Sequence, residues 1–540
     1  VENAVVILSV DLEKAKAMRT VRTLCPTQSG RRLGAVIVRQ CSATFTDAAA
    51  DPVWLDNLYC KAALTPPELQ RAVHVAHLPS KGRGILANTD LEPGELLMVS
   101  KPLAYVTCPM GSIPSAEDLI TVMKKSNYNT EELRILNSLF SGVDDEDNKD
   151  DTCSGLNLDD FKLSGIIGCN SFGEEFTDFP SYLARSHAHA NGIDGNRNVV
   201  SGGAEHDTAS WSNPPSGEEQ VGHLGIFPSF SMLNHSCLPN AVNFVVGGRM
   251  LVVAARSIQK GSEVLINYLG RASLRPLEER QAQLAEGYYF SCDCPRCRAE
   301  LYYCCTDVAE ASGTTNPFGT LAECLQDFLA RVDTRNSVLD QLGRAAAASV
   351  TTNDDGGDAR AILDGLLDSV RQDVRKWDDH VQRAQPPLAA VLDEGMGPEV
   401  PQSWLHASAF DLYSQHAVLA EATGRRQEAL AAVERQVAIC EVVAPSSDLH
   451  MYLSVKLALL AQQQEQAEGG NGGGRDKGLV AGVQGQWEAK CGLEGGSDRV
   501  AAEWRRCRAV LQRRYGKGLS DGTLSTLLQE AVYGLSQVVV

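Results

Sequence analysis

Three cysteines lie close together past the middle of the chain, and they constrain its fold more than any other feature. Cys292, Cys294 and Cys297 have the spacing Cys-x-Cys-x2-Cys, and three neighbouring thiols seldom stay reduced without a metal. Zinc prefers four tetrahedral ligands, and four thiolates leave no open position for a catalytic water. The sequence therefore predicts a structural zinc site. A set of reduced cysteines without metal is the competing interpretation.

The fourth ligand has to come from another part of the chain. Cys237 is our candidate, and Cys304 and Cys305 are the nearer alternatives. The chain has 16 cysteines, and most of those outside the cluster are scattered singly, unlike the even lacing of a small secreted disulfide scaffold. We therefore expect a reducing compartment and one metal site.

The acidic charge balance limits the classes of partner. The formal net charge is −19, which argues against a general nucleic-acid binder because phosphate neutralisation needs a concentrated basic surface. The charge is compatible with a basic protein substrate such as a lysine-rich tail, although many enzymes are simply acidic. No apolar run reaches the length of a membrane span, and the first residues lack the basic segment of a signal peptide. We expect no direct nucleic-acid binding and no membrane binding.

The pattern of residues changes along the 540-residue chain, whose length favours two to four domains. Short β-branched runs first alternate with Gly- and Pro-containing turns, which is typical of small β-sheets. A polar tract rich in Gly, Ser, His and Asn interrupts them and is predicted to be disordered. Past the cysteines the apolar period becomes helical. The predicted segments are an N-terminal segment of unclear role at 1–70, a β-rich domain at 71–270 with a helical insert at 111–160 and a disordered insertion at 186–222, a zinc segment at 271–305, and a helical domain at 318–540 with a flexible linker at 467–480.

Three further motifs accompany the cysteine cluster. A Gly-x-Gly pair at 82–84 is weak evidence by itself, because most such pairs are ordinary turns. The motif Asn-His-Ser-Cys-x-Pro-Asn at 234–240 is the most specific. A turn explains its Asn, Ser and Pro, but not the added histidine and candidate zinc ligand just ahead of a hairpin predicted at 241–254. The next turn leads into a strand that ends at Tyr268.

In this order the motifs resemble those of a SET domain. A Gly-x-Gly strand, an Asn-His-Ser-Cys-x-Pro-Asn segment, a Gly-x-Glu-x-x-x-x-Tyr segment and a post-SET cysteine cluster follow one another between about Val73 and Arg298. Segments at 169–172 and 225–229 further resemble the SET-and-MYND (SMYD) family and plant-type TPR-and-SET proteins. The MYND finger of that family is not recognisable in the sequence.

The resemblance implies an α+β multidomain fold. A β-rich SET domain of small, pseudoknot-like sheets, with a zinc-binding post-SET segment, would precede an all-α, TPR-like C-terminal domain. It also implies that S-adenosylmethionine lies against the Gly-x-Gly strand and the Asn-His pair. Tyr268 would act where the methyl donor meets a lysine amine, and Phe172 would line the lysine channel. The implied cofactor contacts are Gly82, Arg83, Gly84, Asn170, Ser231, Leu233, Asn234, His235, Tyr288 and Phe290, and the implied zinc ligands are Cys237, Cys292, Cys294 and Cys297.

The expected function is S-adenosylmethionine-dependent methyl transfer to the side-chain amine of a lysine in a histone or another protein, in the cytoplasm and/or nucleus. Methyl transfer is an in-line displacement that mainly needs positioning, and a narrow apolar channel lowers the pKa of lysine by disfavouring its charged form. The alternative is a catalytically weak, zinc-containing SET and TPR scaffold that binds partner proteins. Tyr268, Asn234 and His235 are all present, which favours the enzyme. In either case the helical domain is a candidate surface for a protein partner.

Overall fold

The strands of this protein are short and form four small sheets in the part of the chain that is described. The computed structural model describes residues 59, 68–79, 81–109, 112–142, 160–175, 220–246, 248–304, 319–348, 357–383, 400–468, 498–528 and 531. The strands are β1 Leu69–Gln70, β2 Val73–Leu78, β3 Gly82–Ala87, β4 Leu96–Ser100, β5 Ala104–Pro109, β6 Ser171–Glu174, β7 Gln220–Ile226, β8 Asn234–His235, β9 Ala241–Val246, β10 Arg249–Ala254 and β11 Leu265–Ile266.

Three helices form an insert between β5 and β6, and after β11 the described elements are all helical. Short 3-10 turns at Phe230–Met232 and Gly270–Leu274 join strands to the segments that follow them. The helices are α1 Ala116–Lys125, α2 Thr130–Ser138, α3 Asp160–Asn170, α4 Leu277–Tyr288, α5 Pro295–Cys304, α6 Gly319–Ala348, α7 Gly357–Arg383, α8 Val400–Ser408, α9 Phe410–Ala422, α10 Arg426–Val443, α11 Asp448–Glu468 and α12 Asp498–Tyr515. A β-rich domain followed by helices confirms the predicted fold class, while the TPR-like arrangement stays a prediction.

The largest sheet has the order β1-β4-β10-β9 and is antiparallel. Its β9–β10 hairpin pairs Val246 with Arg249 and confirms the hairpin predicted at 241–254. Gly248 in the turn has φ +71°, a left-handed conformation that glycine adopts without steric cost.

Strand β10 is buried on both faces, because every side chain from Met250 to Ala254 is at most 1% exposed. Side chains alternate between the two faces of a strand. Met250 and Val252 therefore pack into the core of the β-rich domain, while Leu251 and Val253 pack against the C-terminal helices. This explains why the sequence of β10 is apolar without interruption from Met250 to Ala254.

The first two helices of the insert, α1 and α2, have well-defined starts. Ser115 and Asn129 each accept backbone hydrogen bonds at the beginning of α1 and α2, in capping boxes completed by Asp118 and Glu132. The buried residues of the insert share one core with β5 and β7. The insert therefore packs directly on the sheet β5-β7-β6.

Two predicted boundaries differ from the structure. Strand β7 begins at Gln220, inside the insertion predicted to be disordered at 186–222, because residues 220–226 pair with β5. Helix α11 continues to Glu468, so the first residues of the linker predicted at 467–480 are helical. Tertiary pairing and good helix formers outweighed the polar composition at these edges. The rest of both segments, and most of 1–70, lie outside the described residues.

The helices α9 to α12 pack on one another in sequence order, whereas α7 packs on α9 and α8 packs on α10. Gly424, with φ +70°, lies in the short turn between α9 and α10, and α10 and α11 pack on each other next. Among the described residues, no helix is both long enough and apolar enough to cross a membrane.

Helix α12 connects the helical domain to the largest sheet through side-chain contacts. The Tyr515 ring of α12 contacts the Phe244 ring of β9 edge-on, with centroids 5.2 Å apart. The Arg514 guanidinium lies 5.0 Å from the centre of the Phe244 ring. Aromatic and cation–π contacts of this kind add to the apolar area that the rings bury. The two domains therefore share a core.

We expect Phe244→Ala to lower the free energy of unfolding by about 3–5 kcal/mol, because it removes a fully buried ring and leaves a cavity. Denaturant unfolding followed by fluorescence measures this change. Phe161→Ala is the control, because Phe161 is 73% exposed and its loss should cost less than about 0.5 kcal/mol. Equal losses in the two variants would contradict the shared core.

Candidate active site

Two very short parallel strands bring the Asn-His motif next to Tyr268. In β8 and β11, Asn234 pairs with Leu265 and His235 pairs with Ile266. The chain then turns so that the Tyr268 backbone N–H donates to His235 Nδ1 at 3.0 Å, and the two rings lie 5.3 Å apart. The motif and the tyrosine are thus adjacent in space although a hairpin separates them in sequence.

Asn234 is fixed by two hydrogen bonds from its side-chain amide. Its Nδ2 donates to the Arg83 carbonyl at 2.9 Å and to Glu263 Oε1 at 2.7 Å. Both amide hydrogens are used in this way, so Oδ1 is the part of the amide left to face a ligand. A Cβ on Gly84 would lie 2.9 Å from Asn234 Nδ2, so a larger residue at 84 would disrupt this arrangement. The structure thus brings the Gly-x-Gly strand against the Asn-His motif.

Glu263 is a member of the site to which the sequence argument gave no role. Its carboxylate accepts from Asn234 and also pairs with Lys81 Nζ at 2.9 Å, while its backbone carbonyl accepts from Asn240 Nδ2 at 2.9 Å. The signal was present, because Glu263 is the acidic residue of the Gly-x-Glu-x-x-x-x-Tyr segment. Glu263 therefore ties the turn before β3 to the Asn-His motif.

The Tyr268 hydroxyl donates a hydrogen bond to the Leu233 carbonyl. Burial, together with the neighbouring Tyr288 and Glu263, raises the pKa of this hydroxyl well above its ordinary value. The group therefore stays neutral at physiological pH. Because its hydrogen points to Leu233, the oxygen lone pairs remain available as acceptors.

Aromatic rings from the end of α4 surround Tyr268. The Tyr288 ring lies 4.9 Å from the Tyr268 ring, and the Phe290 ring lies 6.0 Å from the His235 ring. Tyr289 ends the helix in a left-handed conformation with φ 62°. The structure thus places Tyr288 beside Tyr268, and Phe290 beside His235 of the Asn-His motif.

Phe172, Ser231 and Asn170 contact one another's segments around the 3-10 turn Phe230–Met232. The Phe172 ring contacts the Phe230 ring edge-on at 5.8 Å. Ser231 Oγ donates to the Phe227 carbonyl at 3.0 Å and lies 3.3 Å from the Asn170 carbonyl. Asn170 Nδ2 donates to the Phe140 carbonyl, just past α2, and to the Ile166 carbonyl inside α3. These residues lie around the 3-10 turn that leads directly into Leu233 and Asn234.

The Arg83 side chain forms hydrogen bonds to the helical insert. Its guanidinium donates to the Ser138 carbonyl and, at 3.2 Å, to Ser138 Oγ. Gly82 ahead of it has φ +75° and open space at its Cβ position, so its conformation is the reason for glycine there. Ser138 is a second contact that no sequence motif indicated.

The four predicted zinc ligands converge. One sulfur each from Cys237, Cys292, Cys294 and Cys297 lies within 4.8 Å of the other three, and all four cysteines are free of disulfides. Zinc–sulfur bonds of about 2.3 Å place tetrahedral sulfurs about 3.8 Å apart, so a small contraction completes a zinc site. The donor set therefore fits structural zinc, with Cys237 as fourth ligand.

His235 links this cluster to the tyrosine. Because its Nδ1 accepts from the Tyr268 backbone, the neutral ring carries its proton on Nε2. That nitrogen lies 3.3 Å from Cys237 Sγ, close enough to donate to a thiolate. The cysteine cluster and Tyr268 therefore contact the same imidazole.

Residues 82–269 match the SET domain family model. The range begins at the Gly-x-Gly strand and ends just after Tyr268, so it contains most of the site described above. Residues 82–269 are therefore identified as a SET domain.

The chain is also similar to curated SMYD proteins. It is 44% identical over 82 residues to histone-lysine N-methyltransferase SMYD3 of Mus musculus and 39% identical over 82 residues to N-lysine methyltransferase SMYD2 of Gallus gallus. It is 41% identical over 76 residues to the potential protein lysine methyltransferase SET6 of Saccharomyces cerevisiae. The alignments cover 14–15% of this chain and 18–20% of each relative. The protein is SMYD-like, and it matches about a fifth of the length of these relatives.

We expect Cys294→Ser to abolish zinc binding and to lower the melting temperature, because the remaining three thiolates hold the ion weakly and structural zinc contributes folding free energy. Metal analysis by mass spectrometry should give about one zinc per wild-type chain. Cys108→Ser is the control, because Cys108 is outside the cluster and its zinc content should be unchanged. A folded wild-type protein without zinc would refute the assignment.

Proposed function

We propose that this chain is an S-adenosylmethionine-dependent protein-lysine N-methyltransferase. One observation carries the proposal: a neutral tyrosine hydroxyl is held by Leu233, beside the Asn-His motif that packs on the Gly-x-Gly strand. The SET domain match and the names of the relatives point to the same activity. The complete set of polar residues at the site argues against the scaffold alternative, which would not need to keep them.

The cofactor would supply a methyl group on a sulfonium. The residues proposed to hold it lie on β3, on the segment from Ser231 to His235, and at the end of α4. Asn234 would offer Oδ1 as an acceptor, because Glu263 and the Arg83 carbonyl take both of its hydrogens. The proposed contacts are Gly82, Arg83, Gly84, Asn170, Ser231, Leu233, Asn234, His235, Tyr288 and Phe290.

Tyr268 would position the attacking lysine. Its hydroxyl hydrogen is used by Leu233, so its lone pairs would accept from the amine and from the polarised methyl group. Phe172 would form an apolar wall that disfavours the charged lysine and so lowers its pKa. The neutral amine then has a free electron pair for the in-line displacement. Orientation, more than proton transfer by the tyrosine, would account for the rate.

The substrate would be a histone or another protein with an accessible lysine, in the cytoplasm and/or nucleus. The net charge of −19 supports a basic substrate segment through electrostatic attraction. The cysteine segment would hold Tyr288 and Phe290 against the site when zinc binds Cys237 and its three partners. The helical domain would offer a surface for a protein partner.

We expect Tyr268→Phe to lower kcat about 100-fold or more while the dissociation constant for S-adenosylmethionine changes less than about threefold. The reason is that the hydroxyl would act on the reacting groups and contribute little to holding the cofactor. Tyr59→Phe is a matched control, since it removes a phenol hydroxyl that also donates to a backbone carbonyl, that of Tyr515 at 2.8 Å, away from the site. Labelled methyl transfer to a histone mixture or cell lysate, with mass-spectrometric site mapping, measures the rate. No transfer by the wild-type protein would favour the scaffold.

We expect Glu263→Ala to weaken S-adenosylmethionine binding about tenfold, because the Asn234 amide loses an acceptor that fixes its orientation. Titration calorimetry measures the dissociation constant without requiring turnover. Lys81→Met is the control, since it removes the ion pair of Glu263 but leaves its bond to Asn234. Unchanged affinity in Glu263→Ala would exclude the positioning role.

A further inference from the structure

Two buried arginines share one carboxylate beside the cysteine cluster. Arg280 and Arg296 are 0% exposed and Glu300 is 1% exposed. Arg280 Nη2 donates to Glu300 Oε2 at 2.5 Å, and Arg296 Nε donates to Glu300 Oε1 at 2.7 Å. In the described part of the chain, Glu300 is the one carboxylate that either guanidinium contacts. The trio therefore carries one surplus positive charge in a buried position.

Both arginines also donate to a backbone carbonyl, Arg280 to that of Arg275 at 2.5 Å and Arg296 to that of Ser273 at 2.6 Å. They differ in one contact, because Arg280 Nη2 also lies 3.6 Å from Cys297 Sγ. Four thiolates around a divalent zinc ion carry a net charge of −2, so the zinc-bound cluster is an anion at the place where the surplus cation lies. A buried charge is tolerated when it is paired, and this anion supplies the partner. Arg280 is thus the charged contact between the cluster and the trio.

The same carboxylate reaches the helical domain. Ser408 Oγ, at the end of α8, lies 3.3 Å from Glu300 Oε1. Nearby, Arg275 pairs with Asp411 of α9 at 2.8 Å. Leu277 and Glu300 line a small cavity together with side chains of α6, α7 and α8. A continuous path of contacts therefore runs from Cys297 through Arg280 and Glu300 to α8.

We propose that Arg280 and Glu300 couple zinc binding at the cysteine cluster to the docking of the helical domain. When zinc is bound, the anionic centre balances the surplus charge and the trio holds α8 in place. When zinc leaves, the balance is lost, and the junction at α8 loosens. Because coupling between two equilibria is reciprocal, weakening the Arg280 contact also weakens the hold on zinc. This inference does not depend on methyl transfer.

The first test measures zinc release from the full chain to a chromogenic chelator. We expect Arg280→Met to release zinc about tenfold faster than the wild type, in line with the loss of a hydrogen-bonded neighbour of a metal ligand. Arg296→Met is the matched control, because it removes the same charge from the same carboxylate without touching sulfur. Its rate should stay within about threefold of the wild type. Equal rates in the two variants would overturn the role of Arg280.

The second test uses the wild-type chain alone, so it tests the coupling between zinc binding and α8 even if the Arg280 variant fails to fold. Hydrogen–deuterium exchange is compared before and after a chelator removes zinc. We expect exchange to rise about tenfold in α8, residues 400–408, and to stay unchanged in α1, residues 116–125, in the insert. Unchanged exchange in α8, or an equal rise in α1, would overturn the proposal.

Discussion

The site depends on two pairs of residues, because β8 and β11 are only two residues long. Their parallel pairing is the contact that brings the Asn-His motif to Tyr268. Such a short pairing has few hydrogen bonds of its own, so neighbouring side chains have to hold it. Asn240 does this by donating to the Glu263 carbonyl and accepting from the Leu265 backbone at 2.8 Å. The last residue of the motif therefore fixes the segment in which Tyr268 lies.

His235 extends this dependence to the cysteine cluster. One ring nitrogen accepts from the Tyr268 backbone and the other lies against Cys237. An imidazole fixed at both nitrogens keeps one tautomer and one orientation. Cys292, Cys294 and Cys297 follow Tyr288 and Phe290 directly in the chain, so the cysteine cluster and the tyrosine belong to one connected set of contacts. The largest sheet packs against this region, because Tyr268 contacts the core that contains Met250 and Val252 of β10. The other face of β10 packs against the C-terminal helices.

The sequence predicted the members of the site better than the contacts between them. Spacing and residue type were enough for the triplet Cys292, Cys294 and Cys297 and for the hairpin at 241–254, because both are local features. Cys237 is distant in sequence, and the residues alone left it as one of three candidates for the fourth ligand. The contacts of Glu263 with Asn234 and of Ser138 with Arg83 were not predicted from the sequence. The two partners in each pair come from distant segments, and no local sequence pattern indicates such a pair. The first residues of the strand at 220–226 were predicted to be disordered for the same reason: they are ordered by pairing with β5, which is distant in sequence. The catalytic, cofactor-binding and substrate-channel roles proposed for these residues come from the resemblance to a family, because contacts within one chain do not reveal such roles.

The junction beside the cysteines shows why buried charge is informative here. An apolar contact of similar size would often hold two domains equally well or better, because removing ions from water is costly. Arg280, Arg296 and Glu300 therefore need an explanation other than stability alone. Their surplus charge makes the junction sensitive to the charge of the neighbouring cluster, which an apolar contact would not be. A junction built in this way holds the helical domain most firmly when the metal-bound, and hence complete, site is present.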